Sequence, residues 1–179
     1  KDRQAKIIQP LGVTIDFVYD ELDDVKTVSD NKGNAVNYEY DEKRRVKKKT
    51  DALGITQFDY DGFGNLKTLT DATNLQTLYD YDGLNRATSV KDALSNSIGF
   101  EYQQNQLNKI IDAETNPTTF SYDKVGQIST VLDANNKTTS YKWDARQNLT
   151  QISDPDAHTQ NFYFKSNQLL KHEDALSNT

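Results

Sequence analysis

Apolar positions in this chain recur in short alternating bursts, and the pattern leaves almost no room for helix. In Thr77-Leu78-Tyr79-Asp80-Tyr81 the two rings are two residues apart, which places them on one face of a strand. Asp82-Gly83-Leu84-Asn85 follows, and Asp61-Gly62-Phe63-Gly64-Asn65 occupies the same place one unit earlier. Both are clusters of turn formers: Gly reaches positive φ at little cost, while Asp and Asn bond to nearby backbone amides. A second short strand comes next, as in Leu66-Lys67-Thr68-Leu69-Thr70, with its two leucines three apart. That spacing suits neither strand alternation nor a helical face. It predicts a bulge or a strong twist that brings both side chains to one side. Each unit therefore reads as a β-hairpin.

The hairpin repeats eight times. Tyr19, Tyr40, Tyr60, Tyr81, Tyr102, Tyr122, Trp143 and Phe164 follow one another at intervals of 21, 20, 21, 21, 20, 21 and 21 residues. Two positions before each lies another ring: Phe17, Tyr38, Phe58, Tyr79, Phe100, Phe120, Tyr141 and Phe162. An Asp closes every unit, at Asp30, Asp51, Asp71, Asp92, Asp112, Asp133, Asp154 and Asp174. Five residues before it stand Val25, Val46, Leu66, Ala87, Leu107, Ile128, Leu149 and Leu169. Two before it stand Val28, Lys49, Leu69, Val90, Ile110, Val131, Ile152 and His172. Because Gln9-Pro10-Leu11-Gly12-Val13-Thr14 mirrors Asp51-Ala52-Leu53-Gly54-Ile55-Thr56, residues 1–8 read as the end of a preceding partial repeat. Residues 9–179 read as one continuous array, a segment of a longer protein.

The expected fold is all-β: an antiparallel meander of about sixteen short strands, made of eight hairpin repeats of 20–21 residues, in which each strand pairs with its sequence neighbour. A sheet with one apolar face must cover that face, and no helix is on hand to do so. Sixteen strands at about 4.8 Å make a ribbon near 75 Å wide, more than a twisted open sheet sustains, so the ribbon is expected to curl. The ring columns are expected to be buried by it.

The units Phe58-Asp59-Tyr60-Asp61-Gly62-Phe63-Gly64-Asn65-Leu66 and Tyr79-Asp80-Tyr81-Asp82-Gly83-Leu84-Asn85-Arg86, each preceded by an Asp-Ala tract, resemble the YD repeats of the Rhs family. That family includes bacterial Rhs and wall-associated polymorphic toxins, the C component of insecticidal Tc toxins, and the teneurins. The resemblance covers residues 9–179. It implies a β-sheet that spirals into a hollow shell, which in the toxins encloses a C-terminal effector, and a secreted or cell-surface setting. It implies a structural shell or scaffold segment whose partners are the rest of the same polypeptide: further repeats and an enclosed effector. Neither the family's core segment with its autoproteolytic aspartates nor an effector domain is present in these residues, so the resemblance implies no enzyme.

Composition narrows the chemistry. The 179 residues contain no Cys and no Met, which excludes disulfides, thiolate metal sites and a cysteine nucleophile, and the start at Lys1 without Met suggests a processed chain or a piece of a longer one. A net charge of −6 argues against nucleic acid as the main partner. No apolar run approaches the roughly 18 residues of a membrane span. Of 18 aromatic residues, only Phe63 and Tyr163 fall outside the two columns.

Each candidate site also has a plainer role. The eight-fold Asp column could bind calcium, but calcium solenoids use a dense Gly-rich Asp loop and these turns place Ala beside a single Asp, so a structural Asp without metal is expected. Lys43, Arg44, Arg45, Lys47, Lys48 and Lys49 form the one basic cluster and the one candidate contact for a polyanion; the plainer role is a solvent-facing strand balanced by Asp20-Glu21-Leu22-Asp23-Asp24. His158 and His172 lie in different units, too far apart in the repeat for a shared metal or a His-based triad. Asp154-Pro155-Asp156 reads as a turn, and its carboxylates are no more specific as a glycosidase pair than any others in an Asp-rich repeat. The sequons at Asn136 and Asn148 matter only in a eukaryotic secretory host. No catalytic residue, metal or cofactor is expected. Two alternatives to the shell reading stand: a module that binds a glycan or cell-surface protein, and a filament that assembles with itself through exposed edge strands.

Overall fold

The computed structural model describes residues 6–8 and 12–174. The chain divides into two compact units, Lys1–Asn96 and Ser97–Thr179. The first holds β1 (Lys6–Ile8), β2 (Thr14–Tyr19), β3 (Val25–Asp30), β4 (Ala35–Tyr40), β5 (Val46–Asp51), β6 (Gly54–Tyr60), β7 (Leu66–Thr70), β8 (Gln76–Tyr81) and β9 (Ala87–Lys91). The second holds β10 (Ser97–Gln103), β11 (Gln106–Ile111), β12 (Pro117–Tyr122), β13 (Ile128–Leu132), β14 (Thr138–Trp143), β15 (Leu149–Ser153), β16 (Thr159–Lys165) and β17 (Gln168–Asp174). Sixteen of these seventeen strands form the eight hairpins; β1 is the additional one, antiparallel to β2. Within each unit every strand pairs antiparallel with its sequence neighbour, so both are meanders without crossovers.

The register explains the odd spacing of the aliphatic residues. In the third hairpin Phe58 faces Leu69, Asp59 faces Thr68, and Tyr60 faces Leu66, so Lys67 is passed over as a bulge. Rings spaced by two thereby oppose aliphatics spaced by three. The same one-residue shift falls just before the second ring in all eight hairpins. Pairs such as Phe17 with Val28, Tyr19 with Val25, Phe120 with Val131 and Trp143 with Leu149 thus sit directly across from one another. Val28 in turn faces Val36, and Ile110 faces Thr118, which carries the same face into the next hairpin. The opposite face is mixed, with Val18, Leu78 and Tyr163 exposed on it beside polar pairs: Lys48 on Glu39 at 2.9 Å, Lys109 on Glu101 at 2.8 Å, and Ser89 on Asp80 at 2.7 Å.

The bulge shortens the pairing between hairpins. β3 and β4 are joined by three residue pairs, from Thr27–Asn37 to Ser29–Ala35, and the ladder stops before Val25 and Tyr40. Within the flanking hairpins the ladders carry five and four pairs. Adjacent hairpins therefore part at their ring-bearing ends.

Turn chemistry sets the length of each repeat. Twelve turns begin with Asp, whose N–H donates to the carbonyl of the residue four later and whose carbonyl accepts from the residue three later; Asp20 with Asp24 and Asp23 is the first example. The fourth residue then has positive φ, as in the three-residue hairpin loop built on a type I turn. Gly33, Gly64 and Gly126 supply it in three turns, and non-glycine residues such as Arg44, Asn85 and Thr115 in nine. Three turns are one residue shorter. Asp51 pairs directly with Gly54, Gln103 with Gln106, and Lys165 with Gln168. The first two fall in the intervals Tyr40–Tyr60 and Tyr102–Tyr122, the two repeats of 20 residues rather than 21. Gly54 has φ 127°, and a side chain there would meet the Ala72 Cβ at 3.0 Å.

No described residue is fully buried. The sixteen column rings are half-buried, which corrects the expectation of burial. Among the described residues strand contacts run between sequence neighbours, with no second layer, and each ring is covered by neighbours in its own sheet.

Left-handed backbone is strained for a β-branched residue. Thr115, at φ 68°, is the most demanding of the nine. Thr115→Gly is expected to raise stability by about 1 kcal/mol, read from the urea midpoint, relief of strain outweighing the entropy that glycine adds to the unfolded chain. A lowered midpoint would contradict this account of the turn.

Candidate functional site

The second ring column does more than pack. Where two hairpins part, the ring of one reaches back to the backbone of the one before. The Tyr40 hydroxyl donates to the Val25 carbonyl at 2.7 Å, Tyr60 to Val46 at 2.8 Å, Tyr81 to Leu66 at 2.9 Å and Tyr122 to Leu107 at 2.7 Å. Trp143 makes the same bond with Nε1, to Ile128 at 2.8 Å. Each acceptor is the first aliphatic residue after the turn, at the edge of the bulge and beyond the end of the inter-hairpin ladder. The phenol satisfies a carbonyl that the ladder does not reach. Burial, then Asp24 and Asp20, raises the Tyr40 hydroxyl above the ordinary tyrosine pKa; Tyr81 is raised by burial, then Tyr79 and Asp61.

The turns are held by carboxylates at both ends of the hairpins. In the closing-Asp column, Asp30 Oδ1 accepts from the N–H of Lys32 and Asn34, both at 2.9 Å, and Asp92, Asp112, Asp133 and Asp154 repeat the pattern. Asp71 does so with Thr73 and Leu75, while in its shorter turn Asp51 accepts from Leu53. Asp174 ends β17 opposite Gln160. A second column behaves identically at the other edge, where Asp20, Asp41, Asp61, Asp82, Asp123 and Asp144 accept from the residues two and four later. These bonds favour the ionised form. The Asn34, Asn65, Asn96 and Asn148 amides are the largest influence holding Asp30, Asp61, Asp92 and Asp144 below the usual carboxylate range. For Asp41 and Asp112 the backbone N–H of Arg45 and Asn116 comes first.

The basic cluster is mostly paired. Arg44 grips Asp24 with two bonds of 2.8 and 2.7 Å and also reaches the Leu22 carbonyl. Arg45 pairs with Asp41 at 2.6 Å and lies 4.2 Å above the Tyr60 ring. Lys48 holds Glu39, Lys49 holds Asp51 at 2.6 Å, and Lys43 reaches the Gly62 carbonyl at 3.4 Å. Lys47 alone of the six has no such partner among the described residues.

The two histidines are apart. His172 occupies an aliphatic position and stacks on Phe162, with ring centroids 4.7 Å apart. His158 Nδ1 is 2.9 Å from Asp154 Oδ2, and Asp154 raises its pKa. Asp154, Asp156 and His158 bring three ligand-type atoms within 4.8 Å of one another, on an exposed turn. One Asp154 oxygen is already taken by the amides of Asp156 and His158, and the other by the His158 ring. No helix among the described residues is long and apolar enough to cross a membrane.

Comparison with known proteins returns the same fold. The sequence profile of the Teneurin YD-shell family matches residues 12–169. The chain belongs to the Teneurin YD-shell family. Among solved structures, the YD-shell segment superposes on the crystal structure of TcdB2-TccC3-TEV with a TM-score of 0.75 at 18% identity, covering 88% of this chain and 10% of that one. The crystal structure of TcdB2-TccC3 gives a TM-score of 0.76 at 18% identity, with 90% and 10% covered. The Tc holotoxin pore of Photorhabdus luminescens, with a mutated TccC3, gives 0.76 at 17%, with 88% and 10% covered. The YD-shell segment thus spans about a tenth of the length of these chains, and at such identities the likeness is one of fold. No curated protein matches it in sequence.

The tyrosine bond has a signal in the YD-shell sequence that spacing alone misses. Seven of the eight rings in the second column are Tyr or Trp, which carry a donor, whereas five of the eight in the first column are Phe. The preference marks the column that must reach a carbonyl.

Tyr40→Phe is expected to cost about 1 kcal/mol in urea unfolding, because the half-buried Val25 carbonyl loses its partner. A cost below about 0.3 kcal/mol would deny the bond a structural role. Acid sensitivity follows from the carboxylates. The folded pKa values of Asp30, Asp41, Asp61, Asp92, Asp112 and Asp144 lie below the unfolded value of about 3.9, so their contribution is present above that pH and fades as pH falls through the folded values. The urea midpoint is expected to drop mainly below about pH 4, and Asp92→Asn to flatten part of the drop. A midpoint unchanged down to about pH 3 would show that the turn carboxylates do not stabilise the fold.

Proposed function

We propose that this segment forms part of the wall of a β-sheet shell in a large secreted or cell-surface YD-repeat protein, and that the shell encloses or displays a toxin or adhesive domain. What carries the reading is the ring face. Within each unit it presents half-buried rings and aliphatics in register, in a single layer. Such a face needs further protein to cover it, and in a curled shell that protein is the rest of the same polypeptide. The fold shared with TccC3-containing structures, of which this segment spans about a tenth, supports a wall assembled from many such repeats.

The mechanism is mechanical and entropic. A wall of hairpins, bonded to their neighbours within a unit through ladder, ring and turn, keeps an enclosed chain from solvent and proteases. That role calls for no catalytic group, cofactor or metal, and the paired carboxylates and cations described above serve the turns.

Limited proteolysis of the native parent polypeptide tests this, with fragments identified by mass spectrometry. Repeats and enclosed segment are expected to resist trypsin together until the shell unfolds. Rapid cleavage of the segment while the repeats stay intact would overturn the proposal.

A further inference from the structure

The cleft beside the β10–β11 turn differs from those of the first two hairpins in its lining. It occupies about 380 Å³ between the turn of the β10–β11 hairpin and the start of the next turn, lined by Gln103, Gln104, Gln106, Asn108, Phe120 and Tyr122 among others. Here the turn Asp of six other hairpins is replaced by Gln103, and the turn is shortened to two residues. Gln106 stands directly before the first aliphatic, the place that Arg45 holds three hairpins earlier. In that earlier hairpin the Arg45 guanidinium lies 4.2 Å above the Tyr60 ring of the following hairpin. Gln106 instead turns to the Gly126 carbonyl, with Nε2 at 3.3 Å, and so puts no cation over Tyr122. Asn108 is the passed-over bulge residue, its Nδ2 3.4 Å from the Phe120 carbonyl.

The cleft therefore combines two aromatic rings with four carboxamides and no cationic side chain. A carboxamide offers donor and acceptor in one plane, which suits vicinal hydroxyls, and an aromatic face suits the C–H face of a pyranose. The nearest formal charge is Asp123, whose Oδ1 already accepts from the N–H of Val125 and Gln127. An anionic ligand would meet a carboxylate with no cation to offset it. We infer that this cleft is a binding site for a neutral, hydroxyl-rich saccharide, with Tyr122 as the stacking ring and Gln103, Gln106 and Asn108 as hydrogen-bonding groups. The site is separate from the basic cluster on β5 and its adjoining turn, and it stands or falls independently of the shell reading.

The test is saturation-transfer-difference NMR on the 179-residue chain, with the methyl glycosides of glucose, galactose, mannose and N-acetylglucosamine, and a heparin disaccharide as the anionic probe. At least one neutral glycoside is expected to take up saturation at its ring protons, with a dissociation constant of about 1 mM, as befits a small ligand in an open cleft. Gln106→Arg, which restores the residue found at Arg45 and Arg86, is expected to weaken that binding about tenfold. Asn108→Ser, the residue that Ser129 provides at the same place in the next hairpin, is expected to weaken it too. Both substitutions reuse residues the array already accommodates, and circular-dichroism melting checks that the fold is kept. Failure of all four neutral glycosides to bind, tighter binding of the heparin disaccharide, or undiminished binding by both folded variants would each overturn the assignment.

Discussion

One extra residue in the second strand of each hairpin is the constraint on which the structure rests. It converts a spacing of three into a spacing of two, so that Leu66 and Leu69 meet Tyr60 and Phe58 across the sheet instead of pointing to opposite faces. Without it, half of the aliphatic positions would fall on the other face. The same bulge shortens the ladder to the next hairpin, and the opening it leaves is closed by a tyrosine or tryptophan donor to the backbone carbonyl at its edge. The apolar face, the splay between hairpins and the choice of ring are thus consequences of a single local irregularity, repeated eight times.

A chain with no fully buried residue must be held together differently from a globular core. Cross-strand pairs contribute roughly 0.2–1 kcal/mol each and act only between neighbours. Turn carboxylates act within five residues, and the tyrosine bonds reach about 15 residues back. Stability is then the sum of unit and nearest-neighbour contributions, which suits a wall that can be extended by adding repeats. The cost is visible at the turns, where nine non-glycine residues hold positive φ because the Asp-capped loop requires it.

Chemistry gathers where the repeat is broken. Lys49 and His172 stand in an aliphatic column; the first is drawn to Asp51 and the second stacks on Phe162, so both substitutions are absorbed by neighbours. The loss of the turn Asp at Gln103 is not absorbed in that way. It shortens the turn and leaves amides and a tyrosine ring lining a cleft. A run of six cations that looks in sequence like a polyanion site is, in the sheet, mostly a set of ion pairs, since Arg44 finds Asp24 20 residues away across one hairpin.

Much of the fold was legible because a repeat announces its own geometry. Period, ring columns and turn residues determined the hairpin, its strand pairing, and the need for a bulge between residues such as Leu66 and Leu69. The Asp turn was equally local, since a carboxylate bonding two and four residues ahead needs no distant partner. Three matters depended on the assembled sheet. The half-burial of the rings is set by how many layers cover them, and the periodicity of one layer carries no record of a second. The reach of the Tyr40 hydroxyl to Val25 depends on how far adjacent hairpins splay, and the pairing of Arg44 with Asp24 on which turns stand side by side. Sequence by itself determined what each hairpin is, because its forces act over a few residues; tertiary structure decided what lies beside each hairpin, because those contacts exist only once neighbours are in register.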